Sequence, residues 1–324
     1  TSWNSAPSLD NNTLVWMQDP DGVNFNIIAY DLAATSQLAE IPVTLGDYYS
    51  DPKNNVFPEI SGTFLVWQDY ANSNWDIFLY NLTWETGTPP EQIITGGEDQ
   101  KNPAMYGDYI VYENWSGLIS TINLYNRSNS TSVRISLSDN EVNPAIEGTN
   151  IVWQNLSPTG TKRIILYNIT TGETLRIPPA GTSSDQANPK IAGNYIVWED
   201  TRDRNPYTDI YLYDLTDGSE RLLTPGSPGD KSMPAVSGNR ILWQDTRAMF
   251  NGGHHEDIYL LTLGAAETCP GADFTADYLV DPPGGLVTFT DTSSQGTHPV
   301  TYRLWNFSDG SAWEHDPAPV TTYS

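Results

Sequence analysis

Along most of the chain, short apolar runs alternate with clusters of Gly, Asn, Asp and Pro, and no stretch keeps a helical period long enough to compete. The runs repeat. A segment reading Pro, apolar, Gly or Asn, apolar, apolar, aromatic, acidic recurs with anchor prolines at Pro7, Pro58, Pro103, Pro144, Pro189 and Pro234, spaced 51, 45, 41, 45 and 45 residues apart. Aromatic anchors follow the same rhythm at Trp16, Trp67, Tyr112, Trp153, Trp198 and Trp243. A second apolar segment follows each, as in DIFLYNL and DIYLYDL, with its tyrosine at Tyr30, Tyr80, Tyr125, Tyr167 and Tyr213 and Leu261 in the sixth copy. Each unit therefore predicts four short strands.

In NYIVWED, Ile196 and Trp198 point to one side of the strand and Tyr195 and Val197 to the other, so both faces need cover. A sheet stacked radially between two like sheets receives that cover, and closure of the ring limits exposed edges. The predicted fold is all-β: a six-bladed β-propeller of four-stranded blades over residues 1–266, with a small sandwich over 267–324. The sixth repeat runs from DIYLLTLG into AAETCPG, where Pro270 stops a further strand, so its outer strand is expected to be imperfect or missing. A seven-bladed ring, with one blade upstream of this chain, is the alternative.

The repeat, Pro-x-apolar then IVWxD, DIYxYD and xLT, resembles the TolB-type propeller repeat and, more closely, the repeat of cell-surface and surface-layer proteins of methanogenic archaea. The resemblance covers about four fifths of the chain by its six copies. Copies three and four depart from it, with ENW and QNL in place of the acidic turn, and are expected to have lost whatever the Asp positions do. After Gly264 the elements Ala272-Asp273-Phe274, Val287 to Asp291 and Trp305 to Gly310 resemble a polycystic-kidney-disease (PKD) domain, an immunoglobulin-like β-sandwich, with Ser308 where that family usually has glycine. The family pattern continues past a TYS-like segment, so the module is expected to be truncated and to lean on the propeller or on a neighbouring chain.

With 40 Asp and Glu against 15 Lys and Arg, the net charge of −25 repels phosphate backbones and anionic membranes, which argues against nucleic acid as a partner. No apolar run is long enough to cross a membrane. Cys269 is the only cysteine, so stability must come from packing. Sequons at Asn11, Asn81, Asn114, Asn126, Asn129, Asn155, Asn168 and Asn306 favour an extracellular, glycosylated chain, although an Asn/Ser/Thr-rich sequence also yields such triplets by chance.

Candidate chemistry is sparse. The histidines are His254, His255, His298 and His315, none beside a nucleophile-elbow motif. The segment GGHHED gathers His254, His255, Glu256 and Asp257, but adjacent residues point apart, and an exposed polar loop is the default reading. More informative are acids that end the second strand and begin the third: Asp69 with Asp76, Asp200 with Asp209, and Asp245 with Asp257. Antiparallel pairing would bring each pair together, offering Ca²⁺ its oxygen ligands. The competing reading has these acids capping turns and pairing with Arg202 or Arg247. The expectation is a non-enzymatic surface module that contacts other surface proteins or glycans and has no cofactor, Ca²⁺ at these acid pairs being the one candidate. A carbohydrate-active enzyme or lectin using the central funnel is the alternative.

Overall fold

The structure is a computed structural model. It describes residues 3–19, 26–42, 56–71, 73–85, 87–157, 160–178, 184–203, 207–225, 229–247 and 256–264, together with the backbone of five strands nearer the C-terminus. The chain divides into Thr1–Thr262 and Leu263–Ser324.

The first unit is a six-bladed β-propeller. Blade 1 comprises β1 to β4 (Trp3–Asp10, Thr13–Asp19, Asn26–Asp31, Ser36–Pro42) and blade 2 β5 to β8 (Glu59–Ser61, Phe64–Ala71, Asn74–Asn81, Glu91–Ile94). Blade 3 is β9 to β12 (Asp99–Tyr106, Tyr109–Ser116, Ile119–Asn126, Thr131–Arg134) and blade 4 β13 to β16 (Glu141–Glu147, Asn150–Leu156, Lys162–Asn168, Thr174–Ile177). Blade 5 is β17 to β20 (Gln186–Ala192, Tyr195–Asp200, Asp209–Asp214, Ser219–Leu222). Blade 6 holds three described strands, β21 to β23 (Lys231–Ser237, Arg240–Asp245, Asp257–Thr262), in line with the interrupted sixth repeat. Within every blade the strands pair antiparallel in sequence order, so hairpins make all the connections.

The doubly apolar strands are buried as their pattern requires. Val66, Ile77 and Leu79 of blade 2 pack on Met105, Ile110 and Tyr112 of blade 3. Val111, Ile122 and Leu124 of blade 3 meet Ile146, Ile151 and Trp153 of blade 4. Val152, Ile164 and Leu166 then meet Ile191, Ile196 and Trp198 of blade 5. Removing one such tryptophan would cost about 3–5 kcal/mol, from lost transfer energy and the cavity left behind. Blade 6 differs on the face that its predecessors turn to the next blade. There Leu242 is 41%, Ile258 71% and Leu260 58% exposed, whereas the blade 5 counterparts Val197 and Leu212 are fully buried.

The anchor prolines mark a backbone device. The residue before each one is left-handed: Ala6 (φ 49°), Phe57 (44°), Asn102 (50°), Asn143 (55°), Asn188 (52°) and Met233 (51°). In five blades the pairing of the innermost strand with its neighbour slips at this point. Proline has no N–H to give a ladder, and a bulge removes it from the ladder.

In the second unit, β24 (Phe274–Tyr278), β25 (Val287–Asp291) and β28 (Val320–Tyr323) form one sheet, and β26 (Arg303–Trp305) and β27 (Glu314–Asp316) form another.

Candidate functional site

The bulge exposes a backbone N–H near the propeller axis, and in blades 2 to 5 the residue after the aromatic anchor reaches across to that of the next blade. Gln68 Oε1 accepts Asn102 N at 2.6 Å, Glu113 Oε1 accepts Asn143 N at 2.7 Å, Gln154 Oε1 accepts Asn188 N at 3.4 Å, and Glu199 Oε1 accepts Met233 N at 2.8 Å. Each bond runs from one blade to the next. The asparagines close the pattern: Asn102 Nδ2 donates to Glu113 at 2.8 Å, Asn188 Nδ2 to Glu199 at 2.9 Å, and Asn143 Nδ2 to Asn188 Oδ1 at 3.0 Å. Blade 1 has Met17 at this position, fully buried, and so contributes no acceptor.

Burial pushes the Glu113 carboxyl up, against bonds from Asn102, Asn143 and Trp115, and pushes Glu199 up against Asn188 and Met233. Closer to one end of the axis, hairpin tips link in the same direction. Gly62 N donates to Asp10 Oδ2 at 2.6 Å and Gly107 N to Ser61 Oγ at 3.1 Å. Glu59 accepts Ser8 Oγ at 2.8 Å; burial raises its pKa, and Lys190, three blades away around the ring, opposes the rise. The axis thus carries acids and amides already bound to one another. Sequence reasoning missed this girdle, although Asn before the anchor proline and Gln or Glu after the aromatic were its visible signal.

The acid pairs expected from the sequence are direct cross-strand neighbours: Asp69 with Asp76, Asp200 with Asp209, and Asp245 with Asp257. Two of them are held by arginine. Arg202 gives Asp200 Oδ2 its Nε at 3.0 Å and Nη2 at 2.6 Å, while its backbone N donates to Oδ1 at 2.9 Å. Arg247 repeats the arrangement on Asp245, with Nε at 2.9 Å and Nη2 also donating. The indoles of Trp198 and Trp243 donate to the same carboxylates at 3.1 Å. Each guanidinium lies over the tyrosine paired with that tryptophan, Arg202 over Tyr211 at 4.2 Å and Arg247 over Tyr259 at 4.0 Å. Burial opposes ionisation of Asp200 and Asp245, but these donors outweigh it and hold both below the ordinary carboxylate value. Asp245 has a further cation, the fully buried Lys231, 3.8 Å away.

Asp209 accepts Thr224 Oγ1 at 3.0 Å, and Asp76 accepts Asn74 Nδ2 at 3.0 Å and Gln92 Nε2 at 2.5 Å. Among the described residues no three His, Cys, Asp or Glu side chains converge as metal ligands. His254, His255 and His298 lie outside the described residues, the backbone of His315 is in β27 of the second unit, and Glu256 is exposed.

The expectation that copies three and four lack the acidic role needs correction for blade 4. There Asn155 stands where Asp200 does, but its cross-strand partner is Glu141, which accepts the Trp153 indole and Asn155 Nδ2, the latter at 3.0 Å. The carboxylate has moved one strand inward. In blade 3 the same two positions hold Asn114 and Gln100, joined by a 3.1 Å amide bond, with no acid.

Four sequons have a local structural explanation. Asn81, Asn126, Asn129 and Asn168 each use Oδ1 to accept the backbone N–H two residues on, at 2.9–3.2 Å. Asp31 and Asp214 make the same turn in blades 1 and 5 at 2.8 Å, so the repeat position of Asn81, Asn126 and Asn168 wants a turn acceptor whether Asn or Asp supplies it. Asn114 and Asn155 are half-buried, their amide nitrogens donating to Glu98 and to Ser138 and Glu141. Asn11 and Asn129 are exposed, and Asn306 lies outside the described residues.

The architecture can now be set beside known proteins. The β-propeller domain of the Trilobed protease from Pyrococcus furiosus, described as having an open velcro topology, superposes with a TM-score of 0.58 at 8% identity over 90% of each chain. The fold is that of known β-propellers. An acylaminoacyl peptidase matches with a TM-score of 0.59 at 9% identity, covering 97% of this chain and 57% of that one. A putative TolB from Agrobacterium tumefaciens gives 0.49 at 16% identity, over 69% and 81% of the two chains. No family model and no curated protein matches the chain. At these identities the likeness is one of fold, which leaves chemistry to be argued from side chains.

Proposed function

We propose that this chain is a non-enzymatic, extracellular module of a cell-surface or surface-layer protein of archaeal type, in which the propeller is a rigid disc for contacts with other surface proteins or glycans. The observation that carries this reading is the state of the axis: Glu113 and Glu199 each hold two donors on one oxygen, one of them a backbone N–H of the next blade. Carboxylates used in this way brace the ring. The TolB-type repeat, the net charge of −25 and the exposed sequons at Asn11 and Asn129 support an acidic, glycosylated envelope setting without nucleic acid or membrane insertion in this segment. The PKD-like segment would serve as a spacer, and neither a cofactor nor Ca²⁺ is required.

A carbohydrate-active enzyme or lectin using the funnel is the second reading, favoured by the upward pKa shifts of Glu113 and Glu199, as suits a general acid. Hydrolase and lyase assays on a polysaccharide panel, with binding to envelope glycans and proteins measured beside them, test the choice. Binding without turnover supports the surface module. Turnover lost in Glu113→Gln or Glu199→Gln overturns it.

A further inference from the structure

Between blades 2 and 3 lies a cleft of about 470 Å³, away from the axial girdle, lined among others by Glu98, Gln100, Tyr112, Asn114, Tyr125 and Ser132. Its origin is legible in the repeat. Five blades place tryptophan at the aromatic anchor, and in blades 4, 5 and 6 the indole N–H reaches the acid at the far end of the strand pair. Blade 3 has Tyr112, whose hydroxyl instead meets Ser132 Oγ at 2.6 Å. The smaller ring leaves space that an indole fills elsewhere, and the residues at the end of that space, Gln100 and Asn114, are amides.

The walls are preformed. Asn74 Nδ2 ties down the rim loop through Gly96 O at 3.1 Å and Glu98 O at 3.0 Å. Asn114 donates to the Glu98 carboxylate and accepts Gln100 Nε2, which also donates to Glu98 O at 2.6 Å. Gln100 is 3% exposed, and its Oε1 has no hydrogen-bond partner.

We propose that this cleft binds a neutral pyranose. Its volume falls in the range of about 300–1,000 Å³ usual for small-ligand sites. The lining sets hydroxyl, amide and carboxylate groups beside two phenol rings and two isoleucines, matching a ligand whose edge is a row of hydroxyls and whose face is C–H. An apolar ligand would leave the buried Gln100 Oε1 without a partner. The lining holds one carboxylate and no cation, which disfavours phosphates and uronates, and a single carboxylate is too few for a divalent ion. The site is separate from the axis and stands whether or not the funnel binds anything.

The test is saturation-transfer NMR and calorimetry with the methyl glycosides of glucose, galactose and mannose, N-acetylglucosamine, and methyl glucuronide as the anionic comparison. At least one neutral glycoside is expected to bind with a millimolar Kd and to be preferred over the glucuronide. Tyr112→Trp restores the residue of the other blades and should fold, yet weaken that binding by about tenfold or more by filling the cleft. Glu98→Ala, which leaves the space open, should also weaken it. Failure of every neutral glycoside to bind at about 20 mM, preference for the glucuronide, or unchanged affinity in a folded Tyr112→Trp protein overturns the proposal.

Discussion

Glu199 of blade 5 accepts the backbone N–H of Met233 in blade 6 at 2.8 Å, while Asn188 Nδ2 from its own blade occupies the same oxygen at 2.9 Å. Side chain, neighbouring backbone and bulge are thereby tied at one atom. Because burial raises the Glu199 pKa above its ordinary 4.5, the folded state holds a proton that the unfolded state has released across that window. Its contribution to stability is therefore greatest in acid and falls as pH rises through the folded value. Glu199→Gln keeps the Oε1 acceptor, as Gln154 does naturally in blade 4. The variant should melt above the parent at pH 8 and converge with it near pH 4, as read by thermal melts across pH; a parallel offset at all pH values would contradict the argument.

Met233 is left-handed at φ 51° and 73% exposed, so its side chain contributes little burial while its backbone carries a steric cost. Asparagine tolerates that conformation and already occupies the position in blades 3, 4 and 5. Met233→Asn should stabilise the propeller by about 1 kcal/mol, or about 2–4 °C in Tm. Met233→Val should lower Tm.

Arg202 holds Asp200, which is 1% exposed. Arg202→Ala leaves that acid buried without its cation, at a cost of about 3–5 kcal/mol in denaturant unfolding. Adding Asp200→Asn should recover part of the loss, since Asn occupies the position in blades 3 and 4. The Asp200 pKa lies below 3.8, so the pair's contribution is present above that value and is lost as pH falls through the folded one. With guanidinium groups on Asp200 and Asp245, millimolar Ca²⁺ should leave the parent Tm unchanged; an upward shift would identify an ion site.

Asn168 accepts the N–H groups of Thr170 and Thr171 at 2.9 and 3.0 Å. Asn168→Asp destroys the sequon and keeps the turn acceptor but loses the Nδ2 donor to Asn150 Oδ1 at 2.7 Å, so in unglycosylated protein it should lower Tm by less than Asn168→Ala, which loses both and should cost about 1 kcal/mol or more. Equal losses in both would assign the asparagine a different role.

Much of this fold was legible because a blade must be apolar on both faces, and alternation such as that of Ile196, Val197 and Trp198 shows it directly. The Asp200 and Asp209 register followed from strand order alone. What escaped the reading were bonds between repeats. Glu113 to Asn143 N spans 30 residues, and its donor exists only because Asn143 is left-handed, a conformation that a proline one residue later does not announce. The transfer of the blade 4 acid from the Asn155 position to Glu141 was hidden for a similar reason. A motif compares residues in line, whereas the Trp153 indole needs only an acceptor in reach, on either strand.

The girdle also has a polarity. Blades 3, 4 and 5 each present a side-chain acceptor on one flank and a backbone donor on the other, like links with a hook and an eye. Such a chain lengthens or shortens by whole links without redesign of its neighbours, but no link can be turned around. Growth by tandem duplication of one encoded segment is therefore the change this ring tolerates most readily, and shuffling single strands between blades is the one it resists.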